Sequence, residues 1–511
     1  MQAVPDPGVP IRPGALGSVG RAALHRPFTC VLLVALPLLL VGLGAKDAWE
    51  ASEGRPLQSA REMRAQGDWL VQYTNGEVDL TKPPVYAWLT ALSFRLTGEE
   101  SERAGRLPSV LAALGVLAGV VALGRRAGGA RAGLLAGLFL LTSLKFLWQA
   151  RLAELEMLLA LGVVTAIVAF HSALDEPPGH RRTLRFLAFH AAWGFAFAVK
   201  GPIALLLVAP ACVAGALARG RARALRSVAF LATFPAFLVV GLSWYLAVVL
   251  RDPASLDTFV SYAKGENVGH LRDPFYYLAQ YPLYALPWTP LVVLGLIRAF
   301  RGGPGDDAGR AAVKPFAWAF VVTFLLQSAL KAKQSHYLIP VVFPMGAIVA
   351  AWFADAWMRA RAVSAPHGPA AQAPRILAAL LGLTVVVEGI VAAVVVPRFD
   401  ADHSARPFLT QAAAHVPKGT HLGWTIFGSH SDYLWYLPMD LVGTHGLVEL
   451  NKNAETLENV RAFLTEGGVR YALLRGAEAD RLADVAEVLV RDDSFQRKDR
   501  RVALVRTKGA R

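Results

Sequence analysis

Apolar residues along this 511-residue chain fall into long runs, with charged and polar residues gathered between them. Runs approaching spanning length occupy 28–45, 107–123, 131–148, 156–173, 185–199, 201–218, 227–250, 284–299, 315–330, 337–357 and 376–396. A helix needs roughly 20 apolar residues to cross a bilayer, so the pattern predicts about 11–13 transmembrane helices. The pattern changes near the C-terminus. There "HLGWTIFG", "VRYALLRG" and "RVALVR" predict strands, and "ETLENVRAFLTEGG" and "EADRLADVAEVLV" predict amphipathic helices. The expected fold is a polytopic α-helical membrane protein with a C-terminal soluble α/β domain. Residues 1–27 form a cytoplasmic segment, 28–397 the transmembrane domain and 398–511 the extracytoplasmic domain.

Loop charge sets the orientation. "GRRAGGAR" (124–131), "GHRR" (179–182), "RGRARALR" (219–226), "RAFRGG" with Arg310 and Lys314, and "MRARAV" with Arg375 are rich in arginine. Under the positive-inside rule all five are cytoplasmic. The loops 46–106, 149–155, 251–283 and 331–336, and everything after Pro397, then face outside. The run 83–97 has to stay on the outer side, because a further crossing there would reverse every later loop. It predicts an amphipathic juxtamembrane helix started by Pro83 and Pro84.

Composition narrows the class. Hydrophobic residues make up 54% of the chain and charged residues 18%, as in a membrane protein rather than a soluble enzyme. The net charge of +14 would suggest nucleic acid in a soluble protein. Here the arginines sit in short inter-helix loops, so no nucleic-acid partner is expected. The two cysteines, Cys30 and Cys212, fall in apolar runs and read as buried small hydrophobes.

The candidate chemistry lies in the outer loops. The first carries Asp47, Glu50, Glu53, Glu62, Asp68, Glu77 and Asp79; the next carries Arg151, Glu154 and Glu156 at the mouth of a span. Carboxylates at membrane depth face water-filled cavities or partners. Lys82, Lys200, Lys331 and Lys333 are cations on the same expected side, suited to neutralising phosphate oxygens. The plain alternative is that each snorkels to the interface. Glu266, Asn267, His270, Arg272 and His336 are further polar candidates, and no histidine spacing implies zinc.

The order of several fragments resembles the GT-C membrane glycosyltransferases, in the branch of the lipid A aminoarabinose transferases and protein O-mannosyltransferases. The fragments are "SEGRPLQSAREMRAQGDWLV", "LTKPPVYAWL", "GEESERAGRLPSVLAAL", "ARLAELEML", "VKGP", "GEN" and "HYLIPVVFP". The resemblance implies a sugar donor on a polyprenyl phosphate, a lipid or protein acceptor at the outer face of a bacterial inner membrane, and no nucleotide cofactor. It makes Glu53 the general base and Glu156 the second acid, with a divalent metal (Mg, Mn or Zn) on these two where one is used. It adds Arg55, Tyr86, Arg151, Glu266, Asn267, His270, His336 and Tyr337 as substrate-binding positions. The family's Asp-Glu pair is Ser52-Glu53 here, and its second acid, usually aspartate, is Glu156.

The expected reaction is displacement at the anomeric carbon. Glu53 takes the acceptor proton while the lysines stabilise the leaving phosphate. The rival is a transporter or flippase of a sugar-linked lipid, which would place charges at the bilayer midplane within repeated halves. No such repeat is visible.

Overall fold

The computed structural model describes residues 26–48, 53–264, 271–301, 307–364, 372–401, 404–425, 435–438, 447–450, 456–492 and 501–509. The chain divides into two compact units. One comprises Met1–Val41, Ser109–Arg151 and Leu155–Gly389; the other comprises Gly42–Pro108, Leu152–Glu154 and Ile390–Arg511. The first long polar loop thus shares a unit with the C-terminal domain.

The first unit is helical, and each apolar run of the sequence becomes helix in it. Among the described residues, five helices are long and apolar enough to cross a membrane, or six with the pair Tyr276–Tyr284 and Thr289–Arg301, which bends by 115°. Glu102–Leu141 is in fact two arms broken at Gly128 and Gly129, where Gly129 has a φ of 85°. The arms lie close: a Cβ at Gly124 would come within 2.9 Å of the Ala136 Cβ. Small residues allow such an approach, which is how helices gain contact in a medium with no hydrophobic drive between them.

Gly201 shows how a local sequence sets a turn. "VKGP" ends the helix His180–Lys200 and starts Ile203–Ala218. Gly201 has φ 70° and ψ −146°, a conformation open to glycine alone, and donates to the Phe197 carbonyl at 2.6 Å. A side chain there would also meet the Tyr245 hydroxyl at 2.9 Å. Pro202 then suits the start of the next helix, where its missing N–H costs nothing. The outcome is a lysine at a helix C-terminus, the favourable end for a cation.

In the second unit, the helices Gly54–Gln66 and Val85–Thr97 pack together. Val85–Thr97 buries Tyr86, Ala87, Thr90, Ala91, Ser93 and Phe94 and exposes Leu92 and Leu96. Between the two helices lies a hairpin of β1 (Gln72–Thr74) and β2 (Glu77–Asp79). Asn75 and Gly76 turn it with φ of 57° and 80°, the conformation of a two-residue hairpin loop. Glu62 accepts from the N–H of Asn75 at 2.7 Å and of Gly76 at 3.0 Å, so this acid is structural. Burial outweighs those hydrogen bonds and raises its carboxyl.

The C-terminal domain is a five-stranded sheet of β3 (Leu422–Trp424), β4 (Leu447–Glu449), β5 (Tyr471–Arg475), β6 (Ala486–Asp492) and β7 (Val502–Thr507). Its order is β4-β3-β5-β7-β6. β4, β3 and β5 are parallel, while β7 and β6 run antiparallel. Alternation divides its core. Tyr471, Leu473, Val502 and Leu504 pack with Phe408 and Leu409 on one face; Ala472, Leu474, Ala503 and Val505 pack with Val460, Phe463 and Leu464 on the other. "EADRLADVAEVLV", expected as one helix, is a short helix Gly476–Arg481 followed by β6. Pairing with β7 decides this, because "AEVLV" supplies the edge strand and its Val490 joins the core.

Candidate functional site

Glu53 precedes the helix Gly54–Gln66 and is fully buried. Arg106 Nε donates to its Oε1 at 2.5 Å and Arg106 Nη2 to its Oε2 at 3.0 Å. Lys46 Nζ reaches Oε2 at 2.9 Å, and the Ala153 N–H donates to Oε1 at 2.9 Å. Arg106 is itself held by the carbonyls of Leu43 at 2.6 Å and Lys46 at 2.8 Å. A guanidinium fork matches a carboxylate in this way, and a buried carboxylate is tolerable only when paired so fully. Burial acts to raise the Glu53 carboxyl, but the charges of Arg106 and Lys46, with the hydrogen bonds from Arg106 and Ala153, outweigh it and bring the value down to about 2.

This geometry is unfavourable to the proton-abstracting role expected of Glu53. Both oxygens are occupied, and so weak a base takes few protons near neutral pH. It is equally unfavourable to a metal. A divalent cation on Glu53 would meet two cationic side chains and an amide N–H where it needs oxygen donors. Among the described residues no group of three or more His, Cys, Asp or Glu side chains has a metal-holding arrangement. The residues present do not fit a metal on this carboxylate.

In the first unit, Glu156 opens the apolar helix Glu156–Asp175, the end of a helix that favours an acid. Lys200 Nζ lies 2.5 Å from Glu156 Oε1 and 4.5 Å from the centre of the Tyr337 ring. His336 Nε2 lies 3.4 Å from the same Oε1, and the His336 and Tyr337 rings meet edge to face at 5.0 Å. Four of the expected site residues therefore form one cluster. The turn Ser335–Leu338 carries two of them. It is anchored by the Tyr277 hydroxyl donating to the Gln334 carbonyl at 3.0 Å and by Lys333 Nζ donating to the Arg272 carbonyl at 3.1 Å.

The other expected positions divide by exposure. Lys82 and Lys331 are exposed. Arg55 is part exposed and faces Asp79 at 3.8 Å. Lys333, expected as a phosphate ligand, is buried with its ammonium on the carbonyls of Arg272 and Leu330, so it ties two loops together. Tyr86, expected at substrate, is buried and donates its hydroxyl to the Gly105 carbonyl at 2.9 Å. Arg151 donates to the carbonyls of Leu38 at 2.5 Å and Val41 at 2.8 Å, closing the C-terminal end of the helix Pro27–Leu40. Glu50, Ser52, Glu266, Asn267 and His270 lie outside the described residues.

Sequence reasoning passed over Lys46 and Arg106, the two cations on Glu53. The signal was present in "AGRLPSV". An arginine at the lip of an apolar run pairs with an acid or with backbone carbonyls. It also passed over Arg406, which pairs with Asp47 at 2.8 Å and with Glu102.

Residues 81–244 match the family model of dolichyl-phosphate-mannose-protein mannosyltransferases. An undecaprenyl phosphate-α-4-amino-4-deoxy-L-arabinose arabinosyl transferase of Edwardsiella ictaluri is 28% identical over 64% of this chain and 59% of the relative. The matched stretch covers 59 to 64% of the length of the first curated relatives, which include an uncharacterised protein of Aquifex aeolicus. In structure, ArnT from Cupriavidus metallidurans bound to undecaprenyl phosphate superposes with a TM-score of 0.76 at 21% identity, covering 96% of this chain and 98% of that one. The archaeal oligosaccharyltransferase AglB from Archaeoglobus fulgidus, in complex with an inhibitory peptide and a dolichol-phosphate, reaches 0.51 at 12% identity over 91% of this chain and 70% of its own. The chain therefore has the GT-C fold and resembles, in sequence and architecture, the aminoarabinose transferase branch of the membrane glycosyltransferases.

Proposed function

We propose that this protein is a glycosyltransferase that moves a sugar from a polyprenyl-phosphate-linked donor to a hydroxyl or phosphate oxygen of a cell-envelope acceptor, lipid A-type or protein, at the outer face of a bacterial inner membrane. The observation that carries the reading is the cluster of Glu156, Lys200, His336 and Tyr337, gathered from two helix ends and one turn in a chain of this fold. The relatives' names supply the donor class: an undecaprenyl phosphate carrying an aminopentose.

In this reading Glu156 holds the Nε2 proton of His336, which makes the other ring nitrogen the proton acceptor. The acceptor O–H gives its proton to His336 as its oxygen bonds to the anomeric carbon. The bond from that carbon to the phosphate oxygen breaks, and both electrons leave with the prenyl phosphate. Lys200 stands against the growing negative charge, with the exposed Lys331 as the cation that first draws the phosphate in. Glu53 acts as an anchor, keeping Lys46 and Arg106 in place.

The test is transfer from a labelled polyprenyl-phosphate sugar in membranes holding the full chain. Glu156→Gln is expected to lower turnover by about 10²-fold, as loss of an orienting carboxylate beside a general base does. A protein that gives no product with any polyprenyl-phosphate sugar, or an unchanged rate in the Glu156→Gln variant, would overturn the reading.

A further inference from the structure

Two ion networks of the second unit meet on one strip of backbone, residues 46–48. On one side, Arg406 Nη2 lies 2.8 Å from Asp47 Oδ1 and also pairs with Glu102. Its guanidinium lies over the Tyr436 ring, 4.8 Å from the centre. The Tyr436 hydroxyl accepts from the Ala48 N–H at 2.5 Å, and the Ser404 hydroxyl donates to Asp47. On the other side, Arg106 donates to the Lys46 carbonyl at 2.8 Å and to the Asp47 carbonyl at 3.4 Å. Lys46 and Arg106 are the two cations on Glu53.

The charges balance. Lys46, Arg106 and Arg406 face Asp47, Glu53 and Glu102, and all but Arg406 are largely buried. Glu102 and Arg106 are four residues apart on one helix, so the acid that Arg406 takes stands one turn from the arginine on Glu53. Removing one member of such a set leaves an uncompensated charge that the rest must shift to meet.

We propose that Arg406, from the C-terminal domain, is a positioning residue for Glu53. It pins Asp47 and Glu102, and through them the backbone of 46–48 and the first turn of the Arg106 helix. Those two supports set Lys46 and Arg106 on the carboxylate. The C-terminal domain is then a working part of the carboxylate centre. The proposal stands on these contacts alone and does not depend on the transferase reading above.

Amide hydrogen exchange on the full chain tests it without an activity assay. The Ala48 N–H reports the Tyr436 contact, and the Ala153 N–H, which donates to Glu53, reports the far end. Arg406→Gln is expected to speed exchange at both by about tenfold, the worth of a hydrogen bond to a charged group. Arg406→Lys restores most of the protection at Ala153, and the sheet-core amides of Leu473 and Leu504 stay protected in both variants. Faster exchange at Ala48 with no change at Ala153 overturns the proposal, because the coupling then stops at Asp47. Should Arg406→Gln also loosen the sheet core, Tyr436→Phe, which keeps every charge, decides: protection lost at Ala48 with a smaller loss at Ala153 supports the coupling, and an unmoved Ala153 refutes it. A wild-type protein without transfer activity refutes the transferase reading and leaves the exchange result standing.

Discussion

Arg106 closes on Glu53 with two nitrogens, Nε to Oε1 at 2.5 Å and Nη2 to Oε2 at 3.0 Å, and neither residue is more than 1% exposed. A pair so far from water is costly to break from one side. Arg106→Ala and Glu53→Ala are each expected to lower stability by about 3–5 kcal/mol, since the partner is left charged and buried. Thermal unfolding of the detergent-solubilised protein measures this. A loss of less than about 1 kcal/mol, typical of a surface pair, would show that water reaches the carboxylate.

Acid should dissolve the same contact. The Glu53 carboxyl lies at about 2 in the folded protein against 4.5 ordinarily. A depressed folded value means the stabilisation is complete above 4.5 and is lost as pH falls from there through about 2. It amounts to roughly 3 kcal/mol. Unfolding midpoints of the wild type and Glu53→Gln, followed from neutral pH downward, should converge across that window. Parallel curves would contradict the assignment.

Lys200 is the cation nearest Glu156, at 2.5 Å, and carries the proposed contact to the leaving phosphate. Lys200→Gln is expected to reduce transfer by about 10²–10³-fold, the range for losing one preorganised charge stabiliser. Lys200→Arg should recover part of the rate. An equal loss in both variants, with normal stability, would point to a steric requirement instead.

Gly201→Ala should cost about 1–3 kcal/mol of stability, because the side chain would need a glycine-only backbone. It would also meet the Tyr245 hydroxyl, 2.9 Å from where the Cβ would sit. Adding Tyr245→Phe relieves the clash and leaves the backbone cost. Melting of the single and double variants separates the two parts, and full rescue by Tyr245→Phe would show that the backbone cost is negligible.

Much of the architecture was open to a reader of the chain. All eleven apolar runs are helical, and the break at Gly128 and Gly129 sits where "GRRAGGAR" separates two of them. Apolar length and periodicity are local properties, and membrane helices satisfy their backbone hydrogen bonds within themselves. Two of the five strands in the C-terminal sheet, β4 and β6, were not open in this way. "AEVLV" suits a helix or a strand equally, and only β7 beside it settles the matter.

The candidate site divides along the same line. By itself the sequence determined which carboxylates and lysines stand at the ends of apolar runs, because exposure to a bilayer forces charges to those places. Glu156, Lys200 and His336 were legible on that ground, and Glu53 only through the family resemblance of "SEGRPLQSAREMRAQGDWLV". Only the tertiary structure decided what each of them does with its charge. Glu53 meets Arg106 and Ala153, which lie 53 and 100 residues away along the chain, and Asp47 meets Arg406 from the far C-terminal domain. The worth of a carboxylate as a base is set by what surrounds it within a few ångströms, and those neighbours come together only when distant segments fold onto one another.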